Sequence, residues 1–228
     1  MIFELSLNWL RSNEKNCKLN YVVRQHGSKR RRPIKKFIIQ ISPFFLIIGA
    51  LLQGCGSDRV IVQLNTELGN ITLEIYEKEA PLTASNFLRY VDEGLFKDAM
   101  FYRVVTKRNQ PQNDIKIEVI QGGLFTEEKM YEPIAHETTE ETGILHKDGV
   151  ISMARNEPGT ATSEFFICVG DQPELDFGGK RNPDGQGFAA FGKVIEGMDV
   201  VREIQQQPEI EQMLNHQVHI LNISRKSL

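Results

Sequence analysis

The sequence predicts an all-β-dominated fold, a closed eight-stranded antiparallel barrel with two capping α-helices, and three observations carry that expectation. From Arg59 onward about eight short runs rich in Val, Ile, Phe and Thr succeed one another, each bounded by turn residues. Only two stretches carry helical periodicity, and no repeat of fixed period marks a solenoid or propeller. So many short strands must hide their edges, and closing the sheet on itself removes them.

The elements follow in order. Val60-Ile61-Val62-Gln63-Leu64-Asn65-Thr66, a turn at Glu67-Leu68-Gly69-Asn70, and Ile71-Thr72-Leu73-Glu74-Ile75-Tyr76 read as a hairpin of β-branched residues alternating with polar ones. Pro81 then opens a helix that runs from Leu82 to Val91 and stops near Gly94. Its Ala84, Phe87, Leu88 and Val91 share one face, as packing against a sheet requires. Further strands are expected at Met100–Val105, Ile117–Gln121, Val150–Ala154, Glu164–Val169, Phe188–Val194 and Val218–Ser224, with the second helix at Met198–Gln205.

Charge divides the chain. Of 27 Lys plus Arg and 30 Asp plus Glu, residues 1–54 hold 10 and 2, which leaves 17 and 28, a net −11, on residues 55–228. An acidic folded part repels phosphate backbones, so nucleic acid is excluded as a partner. The basic end contains Lys29-Arg30-Arg31-Arg32-Pro33-Ile34-Lys35-Lys36, followed by the apolar stretch Phe37 to Leu52. A cation-rich segment leading into an apolar one is the layout of a secretory signal, and Pro43 together with the short apolar length disfavours a permanent span. Leu52-Gln53-Gly54-Cys55 resembles the lipobox of bacterial lipoproteins, which makes Cys55 the lipidated residue. Three parts are therefore expected: a leader at 1–54, a lipidated Cys and short linker at 55–58, and the folded domain at 59–228. Residues 1–28 are expected to lie outside the mature protein. With no Met between Met1 and Met100, a later start would need a non-AUG codon such as that of Val22 or Val23. With Cys17 removed and Cys55 lipidated, Cys168 is left alone in the apolar run Phe165-Phe166-Ile167-Cys168-Val169, as a small hydrophobe.

Several local patterns fail as chemistry. Gly187-Phe188-Ala189-Ala190-Phe191-Gly192-Lys193-Val194 has Val194 where a phosphate-binding loop needs a hydroxyl. His136-Glu137-Thr138-Thr139-Glu140 lacks the second His of a zinc helix, and its two Thr disfavour a helix. His216 and His219 are three apart on an expected strand and so point to opposite faces.

The informative motifs are Phe101-Tyr102-Arg103-Val104-Val105, Val119-Ile120-Gln121-Gly122-Gly123, Ile151-Ser152-Met153-Ala154-Arg155, Ser163-Glu164-Phe165-Phe166-Ile167 and Phe191-Gly192-Lys193-Val194. In this order and spacing they resemble the cyclophilin family of peptidyl-prolyl cis-trans isomerases, from Arg59 to Arg225. The resemblance implies the same barrel and an enzyme that accelerates rotation about X-Pro bonds. It implies Arg103 and Gln121 as the catalytic pair, Arg103 as the cation and Gln121 hydrogen-bonding the substrate backbone. Phe166 becomes the floor of a proline pocket, with Val119, Met153, Leu175 and Phe188 beside it, and the main chain at Ala154 and Arg155 binds the residues preceding the proline. Parity agrees in part, since Val119 and Gln121 fall on one strand face and Glu164, Phe166 and Cys168 on one face of another.

The chain departs from the best-known eukaryotic members at three places: Glu118 replaces a pocket phenylalanine, Glu174 a tryptophan and Phe188 a histidine. A more acidic pocket is expected. The loops Thr106–Lys116 and Phe177–Gly187 are also longer than the family minimum. Expected partners are proline-containing polypeptides of the bacterial cell envelope and, through Cys55, a membrane. The domain is expected to be a monomer that needs no cofactor and no metal. Two other classes stay open: a non-catalytic proline-peptide-binding or chaperone module on the same barrel, and a hydrolase using Ser163 or Ser152 with His136.

Overall fold

A computed structural model describes residues 59–124 and 129–226. The leader, Cys17, Cys55 and the alternative start lie outside the described residues. Along the chain run β1 (Val60–Thr66), β2 (Gly69–Ile75), α1 (Pro81–Asp92), β3 (Met100–Val105), β4 (Val119–Gly123), α2 (Thr139–Thr142), β5 (Val150–Met153), β6 (Phe165–Cys168), β7 (Ala189–Glu196), α3 (Met198–Gln205), β8 (Glu209–Ile210) and β9 (Met213–Arg225). Eight strands close into a ring, β1-β2-β7-β5-β6-β4-β3-β9, and β9 returns to β1. Every pairing is antiparallel, and two-residue β8 forms a hairpin on the start of β9.

Both expected helices are present, and a third, α2, is a single turn. The Thr residues that argued against a helix there in fact start one: Thr138 is the N-cap, its Oγ1 accepting the Glu141 N–H, while Glu141 Oε2 accepts the Thr138 N–H at 2.8 Å. Threonine is poor inside a helix and good at its cap, so position outweighed propensity. Strand boundaries also moved, and the shifts at the starts of β4 and β9 have a physical account. β4 begins at Val119 rather than Ile117 because the N–H groups of Ile117 and Glu118 are taken by the side-chain oxygens of Gln110 and Gln172. β9 begins at Met213 rather than Val218, since Asn215, His216 and Gln217 are all exposed and no alternation announced them.

Helix α1 closes one end of the barrel with Ala84, Phe87, Leu88 and Val91 inward, as the periodicity required. The Phe87 ring centroid lies 5.0 Å from Phe191 and 5.6 Å from Phe165, which itself meets Phe101 edge-on. Each such buried ring contributes roughly 1.5–3 kcal/mol. No side chain of its own caps α1. Glu137 does so from across the chain, accepting from the N–H groups of Leu82 (3.1 Å) and Thr83 (2.7 Å) and from the Thr83 hydroxyl (2.6 Å).

Side-chain alternation sorts the strands into two apolar sets. Ile120, Ile151, Phe165 and Ile167 fill the barrel, whereas Val105, Val119, Phe166 and Cys168 form a separate cluster with Ile117, Leu175, Ala154 and Phe188. That second cluster underlies the functional site.

Candidate active site

Strand β3 presents Arg103 through a β-bulge. The register with β4 shifts between Phe101 and Arg103, so Phe101 and Val104 both remain in the barrel core while Arg103 lines a cavity of about 650 Å³. On the paired strand, Gln121 stands directly opposite Arg103. Gly122 permits this close pairing, because a Cβ there would sit 2.6 Å from the Met100 carbonyl oxygen.

The guanidinium is held from two sides. Nη1 donates to Gln121 Oε1 at 2.7 Å, and Nε and Nη2 both donate to Gln212 Oε1, at 3.1 and 2.6 Å. Gln121 in turn donates from Nε2 to Tyr102 Oη (2.8 Å) and Glu164 Oε2 (3.1 Å), which orients its amide with the oxygen toward Arg103. Burial pushes the Arg103 pKa below its ordinary value, and the nearby Tyr102 and Glu164 partly offset this. The group stays cationic, with its charge stripped of much of its water. Burial, then the Glu164 carboxylate, push the Tyr102 hydroxyl well up, so it remains a neutral phenol.

Gln212 was not foreseen. It sits in the tight turn between β8 and β9, where Glu211 (φ 52°) and Gln212 (φ 74°) both take left-handed backbone. Such a turn ordinarily uses Asn-Gly, and non-glycine residues in this conformation cost about 1–2 kcal/mol each. The Gln212 N–H donates to Glu209 Oε2 (2.7 Å), its carbonyl accepts from Val104 N–H (2.8 Å), and its Nε2 donates to the Asn109 carbonyl (3.0 Å). Nothing short-range in the sequence links it to Arg103, 109 residues away.

Phe166, Val119, Leu175, Phe188 and Ala154 make the apolar side of the cavity, joined by Ile117. Ile117 was legible by parity, two residues before Val119. The Phe166 ring is fixed between the stacked His146 imidazole (5.9 Å, 17°) and the edge of Phe188 (5.2 Å, 89°). Met153, expected beside Phe166, does not line the cavity. It alternates with Ser152 on β5, so it points with Ile151 into the barrel core and only 1% of it is exposed. The Arg155 side chain, also lining the cavity, is tied to Asp184 (2.8 and 3.0 Å) and the Gly187 carbonyl (2.9 and 2.5 Å). Arg155 also holds the Asp184 carboxyl below the usual carboxylate range.

The expectation of a more acidic pocket is corrected. Glu118 faces Lys107 at 3.3 Å, Glu174 accepts from the Lys180 N–H at 2.9 Å, and neither lines the cavity. Among the described residues its charged lining is Arg103, Arg155, Arg181 and Glu164. The hydrolase grouping also fails. His136 is bonded to the Gln186 carbonyl, and Ser163 is fully buried. Ser152 meets His146 (3.0 Å), which meets Asp176 (2.7 Å), but Ser152 is wholly buried and His146 1% exposed, so this Ser-His-Asp line is a brace behind Phe166 with no substrate access. Burial drives the Cys168 thiol well above its ordinary pKa, which makes it inert. Among the described residues no Ser, Cys or His lines the cavity. It is therefore built to bind and to stabilise charge, without a covalent intermediate.

Comparison with known proteins bears on the family and the fold. The family described as cyclophilin type peptidyl-prolyl cis-trans isomerase/CLD matches residues 61–225. A peptidyl-prolyl cis-trans isomerase of Streptomyces antibioticus is 39% identical over 148 residues, 63% of this chain and 81% of that one. One from Acinetobacter baylyi is 35% identical over 165 residues, covering 70% and 79%. Peptidyl-prolyl cis-trans isomerase B of Escherichia coli is 34% identical over 149 residues, covering 63% and 83%. Among solved structures, a cyclophilin type isomerase of Cryptosporidium parvum superposes with TM-score 0.59 at 20% identity over 75% of this chain and 99% of that one. The same protein has been solved in the presence of the dipeptide Ala-Pro, with TM-score 0.58.

Proposed function

The chain belongs to the cyclophilin type peptidyl-prolyl cis-trans isomerase family, and from that premise we propose that Arg103 drives X-Pro rotation in proteins of the bacterial cell envelope, from a domain anchored by a lipid on Cys55. The observation that carries the mechanism is the placement of a desolvated guanidinium, fixed by Gln121 and Gln212, beside the apolar slot floored by Phe166.

Rotation about an X-Pro bond crosses a barrier of about 20 kcal/mol, because the nitrogen lone pair is delocalised into the carbonyl. At the twisted transition state that pair is localised on nitrogen and accepts a hydrogen bond that the planar amide cannot. A guanidinium N–H aimed at it therefore binds the transition state more tightly than either ground state. Phe166, Val119, Leu175 and Phe188 grip the ring and the main chain at Ala154 and Arg155 holds the preceding residues, while Gln121, whose two amide hydrogens go to Tyr102 and Glu164, fixes the guanidinium, so that one end is held while the other turns. The anchor rests on Leu52-Gln53-Gly54-Cys55 and the basic-then-apolar leader before it. Multiple acylation of one Cys is physically sufficient for stable attachment.

NMR exchange between cis and trans forms of a short proline peptide tests the activity: catalysed exchange is expected, and binding without exchange would leave only the peptide-binding module. For the anchor, Cys55→Ser should leave uncleaved, unlipidated precursor. Normal maturation and membrane attachment of that variant would refute it.

A further inference from the structure

The cavity holds, besides Arg103 and the paired Arg155, a cation that the isomerase mechanism does not use. Arg181, from the long Phe177–Gly187 loop, lines it together with Arg103. Its backbone N–H donates to the Glu174 carbonyl at 3.1 Å, and its Nη1 donates to Gln110 Oε1 (3.0 Å) and the Ile115 carbonyl (2.6 Å). Gln110 is fully buried and rigid, donating to the carbonyls of Thr106 and Ile117 and accepting the Ile117 N–H. Arg181 thereby joins both of the long loops, and its head group is fixed in place rather than free in solvent.

What Arg181 lacks is a counter-charge. Arg59, Arg89, Arg155, Arg202 and Arg225 each pair with a carboxylate. Arg181 pairs with none among the described residues, and its Nε and Nη2 have no acceptor there. Glu164, Glu174, Glu118 and Asp184 are engaged elsewhere: Glu164 with Gln121, Glu174 with the Lys180 N–H, Glu118 with Lys107 and Asp184 with Arg155. Burial and the charge of Arg103 both work against the Arg181 cation. An unmatched, partly desolvated guanidinium in a domain of net charge −11 is a site awaiting an anion.

We propose that Arg181 forms an anion subsite that takes the carboxylate of a Glu or Asp side chain flanking the substrate proline, so that the enzyme prefers acidic proline-containing segments. The proposal rests on the isomerase reading and extends it to substrate class. The Nε–Nη2 edge of the planar fork, with its N–H groups free, suits a carboxylate, and the partial burial raises the interaction above that of a surface pair.

The test is cis–trans exchange by NMR on four matched peptides, with Glu or Gln immediately before or immediately after the proline. At low salt the wild-type protein should process one Glu peptide about 5- to 10-fold faster in kcat/KM than its Gln twin, mainly through KM, and the position that shows it locates the subsite. The advantage should shrink in 0.5 M salt, as expected of a charge contact. Arg181→Gln should make the Glu and Gln peptides equal, and Arg181→Lys should keep part of the preference. Because Arg181 also fastens two loops, the wild-type peptide pairs and their salt dependence decide the matter if the variants fold poorly. Equal kcat/KM within both wild-type pairs, with catalysis present, overturns the subsite and leaves the isomerase intact. If no peptide is turned over, the isomerase reading fails, and tighter wild-type binding of a Glu peptide than of its Gln twin still supports the subsite while equal binding overturns it.

Discussion

Replacing Arg103 separates what its charge does from what its shape does. A guanidinium carries five N–H donors in a plane. In this site three are occupied, one by Gln121 Oε1 and two by Gln212 Oε1, which leaves one N–H on each terminal nitrogen directed elsewhere. The two amide oxygens fix the plane, so the free N–H groups have a set direction before substrate arrives. Arg103→Ala removes a charge-assisted hydrogen bond made to the twisted amide, a class of interaction worth about 1.5–3 kcal/mol. The expected loss in kcat/KM is about 100-fold or more, equivalent to about 2.7 kcal/mol, with peptide affinity falling much less. Arg103→Lys keeps the charge. A single ammonium cannot bond both Gln121 and Gln212 and still reach the prolyl nitrogen, so a deficit of about 30-fold should remain. NMR exchange at several peptide concentrations yields both rate and affinity, and circular dichroism checks the fold. Wild-type exchange by folded Arg103→Ala would refute the mechanism, and wild-type exchange by Arg103→Lys would show that charge alone suffices.

Two further outcomes follow from supports that lie far from Arg103 in sequence. Gln212→Asn suits the left-handed turn but is too short to reach the guanidinium, so kcat/KM should drop about tenfold while circular dichroism shows the fold intact; full activity in this variant would deny Gln212 a positioning role. Glu137→Ala strips three hydrogen bonds from the start of α1 and should cost about 3 kcal/mol, lowering Tm by about 6–12 °C. Glu137→Gln, which keeps one acceptor oxygen, should lose about half as much, and thermal unfolding of the two variants checks both.

The barrel was legible because its strands write their burial into alternation, and α1 because Ala84, Phe87, Leu88 and Val91 repeat at helical spacing. β4 began later than its hydrophobic run suggested because side-chain amides captured its first N–H groups. That competition is invisible until the fold brings Gln110 and Gln172 near. Within the site, local motifs placed Arg103, Gln121 and Phe166 in one cavity. They misplaced Met153, where a one-residue step turns a side chain from the outer face into the core. Gln212, Arg181 and Glu137 escaped for a shared reason. Each acts through a polar side chain on a partner dozens of residues away, and polar side chains in loops carry no periodicity.

The pairing of β1 with β9 joins the beginning of the folded domain to its end. Until Met213–Arg225 has been synthesised, both β1 and β3 lack a neighbour, so a growing chain cannot complete the ring at any intermediate length. The turn that carries Gln212 lies at the entry to that last strand. Arg103 therefore acquires its second fixed point in the same event that seals the sheet, and an unfinished chain has neither a closed barrel nor an aimed guanidinium. One seam of hydrogen bonds thus completes both the sheet and the support of the guanidinium.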